Sequence, residues 1–324
     1  MRWFAALALL ILAIGAAAQT QLDAARHEGE VVWYTAMNVP DAEAVRQPFN
    51  ERYPFIKVTL LRSTGEKVRT RILTEARAGR YAWDVVSFNL LDIDALNREG
   101  LLATYASPET RDAYPAGALD PGGRWAAIYV RQYVIGYNTR LVSVPPRSWE
   151  DLLAPPWRGK LALDESDVEW YAAMLDYWGA EKGAAYMRAL ARQQPQQRRG
   201  HNLLTRLLVA GEFPLALVHA NEVEKEKADG APVDWVKSLD PVITSASEVA
   251  IAAHAPHPQA ARLFVDFLLS AEGQRAIASR GRVPARTGAS TEAPRLNVHY
   301  VSAKLAMQFA QYEREFRAIF GKAP

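Results

Sequence analysis

Apolar and polar positions alternate along this chain in a way that predicts short strands interleaved with amphipathic helices. Gly29–Asn38 (GEVVWYTAMN) reads as a buried strand opening into a polar loop, and helical spacing follows over Asp41–Tyr53. IKVTLLRSTGEKVRTRILTEARAG predicts a second strand, a turn at Ser63-Thr64-Gly65 and a helix; Ser63 and Glu66 have the spacing of a capping box. A third strand is expected over Trp83–Ser87 and a helix over Ile93–Glu99. Strands separated by helices predict a parallel sheet covered on both faces.

The alternation continues with a strand over Arg131–Asn138, then a short helix, a Pro-broken turn and a strand within Ser148–Leu163. Ser166 and Glu169 form a second capping-box pattern ahead of a helix over Trp170–Trp178, and helices are expected over Glu181–Arg192 and Asn202–Ala210. Leu215–Val218 is an apolar run that turns abruptly polar at His219, Ala220, Asn221 and Glu222 before a charged run of helical spacing. A strand that empties into such a cluster at its carboxyl end is a common place to hold a ligand. Beyond Val236 come two short strand candidates, a loop with Pro256 and Pro258, a strongly amphipathic helix, and a last helix over Ser302–Phe320. His254 and His257, which bracket the Pro loop, read as structural.

The first residues bear on location. Arg2 is followed by an uncharged apolar stretch, Trp3–Ile14, and by Ala16-Ala17-Ala18, the pattern of a secretory signal peptide cleaved after Ala18. The apolar run is short for a membrane span. The chain has no cysteine, so neither a lipid attached through cysteine nor a disulfide is available to it. A periplasmic protein that is not a lipoprotein is expected. Roughly 300 residues remain after processing, more than one core comfortably holds, which predicts two lobes.

Charge and motifs exclude several functions. The 38 basic and 36 acidic residues are interleaved, so no basic patch suggests nucleic acid. No G-x-G-x-x-G or P-loop opens a helix, against a nucleotide-dependent enzyme. No cysteine nucleophile and no G-x-S-x-G is present; His201 and His219 could serve as bases, but no serine is singled out beside them. An exported enzyme is therefore the weaker alternative, and no cofactor is expected.

WYTAMN, STGEKVRTRI, WEDLL..PPWRGKLAL, GEFPLAL and above all PHPQAARLFVDFLLSAEGQ together resemble the bacterial extracellular solute-binding proteins, ferric-iron-binding type, which serve ABC importers. The resemblance implies a two-lobed periplasmic-binding-protein fold (type II, α/β), each lobe a mixed sheet flanked by helices, with two crossover strands as hinge. It places residues 23–130 and 247–291 in lobe 1 and residues 131–246 and 292–324 in lobe 2, with a small solute held between them. It also implies a monomer partnered by an ABC permease in the inner membrane; a sensor-linked receptor would use the same cleft.

Site residues follow from the same resemblance. Ferric-binding relatives use a histidine, a glutamate and a tandem tyrosine pair; hard oxygen donors of that kind suit Fe(III). The corresponding positions here hold Asn38, Phe88, and Asn221 with Glu222, so direct four-ligand ferric binding is not expected. The relatives' anion-binding arginine matches Arg131, whose planar fork suits a carboxylate or phosphonate. Two assisting asparagines fall at His201 and His219, and a small Ser-Gly-Ala turn falls at Asp167-Val168-Glu169. Asp167 or Glu169, with Glu222, would attract a cationic group if these face the ligand. Further candidates are Tyr34, Thr35, Asn38, Ser63, Thr64, Ser87, Asn89 and, among the aromatics, Trp170 with Tyr171. The solute expected is an anionic or zwitterionic carboxylate or phosphonate. The alternative is iron as a ferric chelate or on a rearranged set, for which Glu222 and His219 are the candidate metal ligands.

Overall fold

The computed structural model describes residues 20–289 and 296–321; the leader expected over residues 1–18 lies outside them. The chain divides into two compact units. One comprises the chain up to Ile128 with Ser247–Arg280, the other Tyr129–Ala246 with the chain from Gly281 on.

The first unit opens with helix α1 (20–28). β1 (Glu30–Thr35), α2 (Val39–Arg52), β2 (Lys57–Arg62), α3 (Gly65–Arg77), β3 (Val85–Asn89) and α4 (Leu90–Arg98) follow. β4 (Ala126–Asn138) begins there and continues into the second unit. That unit supplies β5 (Leu161–Asp164), α5 (Val168–Trp178), α6 (Ala180–Arg192), β6 (Gln196–Arg198), α7 (His201–Ala210), β7 (Leu215–His219), α8 (Ala220–Ala228) and β8 (Val233–Trp235). β9 (Val242–Ile251) leads back to the first unit, which adds α9 (Pro258–Leu269) and α10 (Ala271–Ala278). β10 (Val283–Pro284), β11 (Val298–Tyr300) and α11 (Phe309–Phe320) complete the second.

In the first unit β1 lies parallel to β2 (Val31 opposite Val58) and to β3 (Tyr34 opposite Val86). β3 in turn pairs antiparallel with β9, Ser87 opposite Val249. The apolar faces of the surrounding helices close on this sheet, and Trp33, Phe49 and Phe264 meet edge to face at 5.1 and 4.9 Å. Asp84, fully buried, accepts from the Val32 and His257 amides at 2.7 Å each and meets His257 Nδ1 at 2.9 Å. His257 is thus structural, fastening the start of α9 to the sheet.

In the second unit β4 runs antiparallel to β7 (Val134 opposite Val218) and to β8 (Gly136 opposite Trp235). β7 is parallel to β5, which is parallel to β6. Gly136 permits this packing: a Cβ there would lie 2.8 Å from Val218 Cγ2 and 2.9 Å from Leu208 Cδ2, so α7 sits directly on the strand. α7 ends at Gly211, whose φ of 80° is the left-handed conformation glycine adopts without strain and turns the chain into β7. Trp149 and Trp170 stack at 5.6 Å in the core behind the sheet.

Four expectations are corrected. Neither capping box forms: Thr64 and Asp167 occupy the N-cap positions of α3 and α5 without a side-chain cap, and the Ser166 hydroxyl donates instead to Asp164. β9 is one ten-residue strand, not two short ones, because Val242–Ile251 is buried throughout. The last helix begins as a 3-10 segment over Ala303–Gln308 before α11. The chain from Gly281 belongs with the second unit rather than the first, since β10 pairs with β4 at Val283 opposite Val130.

Candidate functional site

The second unit gathers titratable side chains from five elements at one end of its sheet. β4 contributes Arg131 and Tyr133, α5 Glu169, α7 His201, and the junction of β7 and α8 contributes His219 and Glu222. The local sequence explains the convergence. A β-strand alternates faces with period two, so Arg131 and Tyr133 lie on the same face of β4. Antiparallel register sets Tyr133 directly opposite His219. Glu222 lies three residues beyond His219 in the first turn of α8, where a carboxylate is favoured by the helix dipole.

Two carboxylates fix α7 and its first residue. Asp164 ends β5; its side chain accepts from the Ser166 amide and hydroxyl and from the Gly200 amide. Gly200 has a φ of 100°, open to glycine and unfavourable for other residues, and immediately precedes α7. Asp167 accepts from the Asp164 amide at 2.8 Å and presents its other oxygen to His201 Nε2 at 3.0 Å. His201 is thereby held at the helix start by a backbone-anchored loop.

The two imidazoles stack with ring centroids 4.1 Å apart, and the Tyr133 ring meets both edge to face at 5.7 and 5.0 Å. His219 Nδ1 faces Glu222 Oε1 at 3.7 Å, and Glu222 Oε2 accepts from the Thr205 hydroxyl at 3.1 Å. Tyr133 donates to Glu169 at 3.4 Å, and Arg131 Nε donates to the Ser245 hydroxyl at 3.2 Å. His201 Nδ1 and His219 Nε2, the nitrogens turned away from the carboxylates, have no hydrogen-bond partner among the described residues.

Burial and charge separate the two histidines. Burial disfavours a charged His201, but the adjacent Asp167 carboxylate, with Asp164 and Glu222, outweighs it and raises the pKa. His219, only 8% exposed, is pushed down to about 3 by burial, by the His201 charge and by Arg131. The surroundings thus favour charge on His201 and disfavour it on His219. Burial opposes ionisation of Glu222 as well, yet the facing His219 ring, the nearby His201 and the hydrogen bond from Thr205 hold its pKa below the ordinary value. Burial, reinforced by Glu169 and Asp167, keeps the Tyr133 phenol protonated.

Of the sequence candidates, Arg131, Glu169, His201, His219 and Glu222 come together here, with Asn221 half-buried in the first turn of α8. Trp170 is fully buried against Trp149, a core residue, and Tyr171 is buried with its hydroxyl on Glu315 at 3.1 Å. Five of the candidates of the first unit, Thr35, Ser87, Asn38, Asn89 and Tyr34, have side-chain partners within it. The Thr35 and Ser87 hydroxyls lie 2.6 Å apart in the interior; Asn38 and Asn89 cap α2 and α4; the Tyr34 hydroxyl donates to Glu75 at 3.3 Å. Ser63 donates its amide to Thr35, and exposed Thr64 precedes α3. Tyr133, Asp164 and Ser245 are site residues that sequence reasoning missed. Tyr133 was within reach, two positions from Arg131 on a predicted strand. Among the described residues no group of three or more histidines and acids is arranged to hold a metal ion, so Glu222 and His219 have no third partner of that kind.

The description "bacterial extracellular solute-binding protein" fits residues 44–300, most of the chain. The chain belongs to that family. Its members bind small solutes and work with ABC permeases, and the family is one of binding proteins. An uncharacterized protein of Haemophilus influenzae is 25% identical over 265 residues, 78% of this chain and 75% of the relative. A Serratia marcescens Fe(3+)-binding periplasmic protein is 24% identical over 167 residues, 48% of this chain and 49% of its own. Among solved structures, iron-bound HitA of Pseudomonas aeruginosa superimposes with a TM-score of 0.75 at 22% identity, covering 89% of this chain and 99% of that one. AfuA of Actinobacillus pleuropneumoniae with fructose-6-phosphate gives 0.72 at 22% identity, covering 91% and 99%. Trichodesmium FutA with iron and citrate gives 0.78 at 18%, covering 91% and 100%. These confirm the two-lobed binding-protein fold, and among the described residues no helix is long and apolar enough to cross a membrane.

Proposed function

We propose that this chain is the periplasmic, non-catalytic capture component of an ABC importer for a small anionic or zwitterionic solute, which it holds on the imidazole cluster of its second unit. The observation that carries the proposal is the stacked pair His201 and His219, both largely buried, each with one nitrogen unpartnered among the described residues. Buried polar atoms in folded proteins ordinarily have partners, so unsatisfied ones in a cluster of this chemistry point to a ligand. Arg131 and His201 supply positive charge. Asp164, Asp167, Glu169 and Glu222 are already engaged by amides, hydroxyls and imidazole, but their excess of negative charge disfavours a bare anion. A solute with hydrogen-bond donors beside its anionic group fits better.

Thermal shift and calorimetry on the mature protein, refolded to strip carried ligand, test this with carboxylates, phosphonates and amino acids. Arg131→Ala should weaken the anion that binds by about 2 kcal/mol, roughly thirtyfold. Unchanged affinity in that variant would refute the anion assignment. A second reading is iron carried as a chelate, supported by the names of the similar Serratia and Trichodesmium proteins. The His219–Glu222 pair would then meet the chelator rather than a bare ion. Binding of ferric citrate with no binding of citrate alone would favour it.

A further inference from the structure

The family relationship leaves the ligand open, but the histidine pair narrows it. Each imidazole has one nitrogen turned toward a carboxylate, His201 Nε2 toward Asp167 and His219 Nδ1 toward Glu222. A carboxylate only accepts, so in each ring a hydrogen is favoured electrostatically on the nitrogen that faces it. The opposite nitrogens then differ. A second proton on His201 makes Nδ1 a cationic donor, whereas neutral His219 offers Nε2 as a lone-pair acceptor. Two cationic rings 4.1 Å apart, with Arg131 beside them, would repel one another, and His201, 3.0 Å from its carboxylate against 3.7 Å for His219, is the better placed to carry the second proton. An unprotonated oxyanion oxygen would satisfy His201 and Arg131 but repel the His219 lone pair.

We propose, on the reading of the cluster given above, that the solute is an oxyanion bearing a hydroxyl on a neighbouring carbon. Its anionic oxygen meets His201 Nδ1 and Arg131, and its hydroxyl donates to His219 Nε2. His219 is then the residue that distinguishes a hydroxylated solute from its deoxy analogue. The groups facing the pair are Arg131 and Tyr133 on β4, Asp164 and Asp167 between β5 and α5, Glu169 on α5, Thr205 on α7, Glu222 on α8 and Ser245 on β9. Among these, His219 is the group that must gain a proton if an anionic oxygen is placed against it. A hydroxyl there requires no proton uptake. Carboxylate and phosphate would share this recognition.

Matched pairs in calorimetry distinguish the possibilities: L-malate against succinate, citrate against tricarballylate, and sn-glycerol 3-phosphate against propyl phosphate. Titrations run at neutral pH in two buffers of different ionisation enthalpy. The proposal expects one hydroxylated member to bind at least about tenfold more tightly than its deoxy partner, with proton uptake near zero. The pair that responds identifies carboxylate or phosphate. In His219→Leu, with its fold checked by circular dichroism, the two members should bind alike. Equal affinities within the wild-type pairs, or uptake of about one proton per ligand, would overturn the hydroxyl assignment while leaving the anionic solute standing. Binding of none of the six would overturn both.

Discussion

His219 makes the ligand-free protein sensitive to mild acid. Its imidazole is pushed from an ordinary 6.5 to about 3 in the folded chain. Such a group contributes stability that is present above pH 6.5 and lost as pH falls toward 3, because the unfolded chain takes up the proton that the folded site refuses. At about 1.4 kcal/mol per tenfold change in proton activity, moving from about pH 7.5 to about pH 4.5 removes about 2.5 kcal/mol at this residue. His201, with its raised pKa, works with the opposite sign: its contribution is present below 6.5 and lost as pH rises through its folded value. Glu222, with its lowered pKa, contributes above 4.5 and loses that contribution only in stronger acid. The contrast between wild type and His219→Gln isolates the first effect. Urea unfolding followed by tryptophan fluorescence at both pH values should show the variant losing about 2.5 kcal/mol less than wild type over this interval. Identical losses would mean that His219 is not held neutral by burial, and the assignment of donor and acceptor in the pair would fall with it.

Other substitutions test the packing that positions the site. Gly136→Ala should lower unfolding free energy by about 1–3 kcal/mol, since the added methyl collides with Val218 and Leu208; an unchanged midpoint in urea would show that α7 yields freely. Trp170→Ala should cost about 3–5 kcal/mol while leaving ligand preference in calorimetry intact, as expected for a residue buried against Trp149 rather than facing solute. Asp84→Ala, which strands the amides of Val32 and His257, should destabilise by roughly 2 kcal/mol or more, visible as a lower thermal midpoint with no effect on binding.

Periodicity made most of the alternation of strand and helix legible from Glu30 on, though not β6, β8 or the division of the amphipathic helix into α9 and α10, and the polar break after Leu215–Val218 marked one edge of the cluster. Two kinds of information stayed hidden. Capping depends on backbone geometry, so Ser63 and Ser166 had the right spacing for boxes that the chain does not build. The environment of each histidine depends on residues distant in sequence: His201 is set by Asp167 and Asp164, which read locally as helix-start acids. Likewise Thr35 and Ser87 have the chemistry of ligand contacts but bond each other across 52 residues of sequence, a choice that only tertiary structure displays, whereas Asn38 and Asn89 are engaged locally as N-caps three residues ahead of Asp41 and Asp92.

The carboxylate loop between β5 and α5 has a bearing on how solute preference can change over time. Asp164 and Asp167 are bound chiefly by backbone amides, of Ser166, Gly200 and Asp164 itself. On the proposed reading, position 219 can therefore be exchanged without dismantling that loop, whereas exchange of His201 would leave the buried Asp167 carboxylate without its imidazole. On that reading, a change of solute would be confined to a single position at the end of β7, with the rest of the fold left as it was.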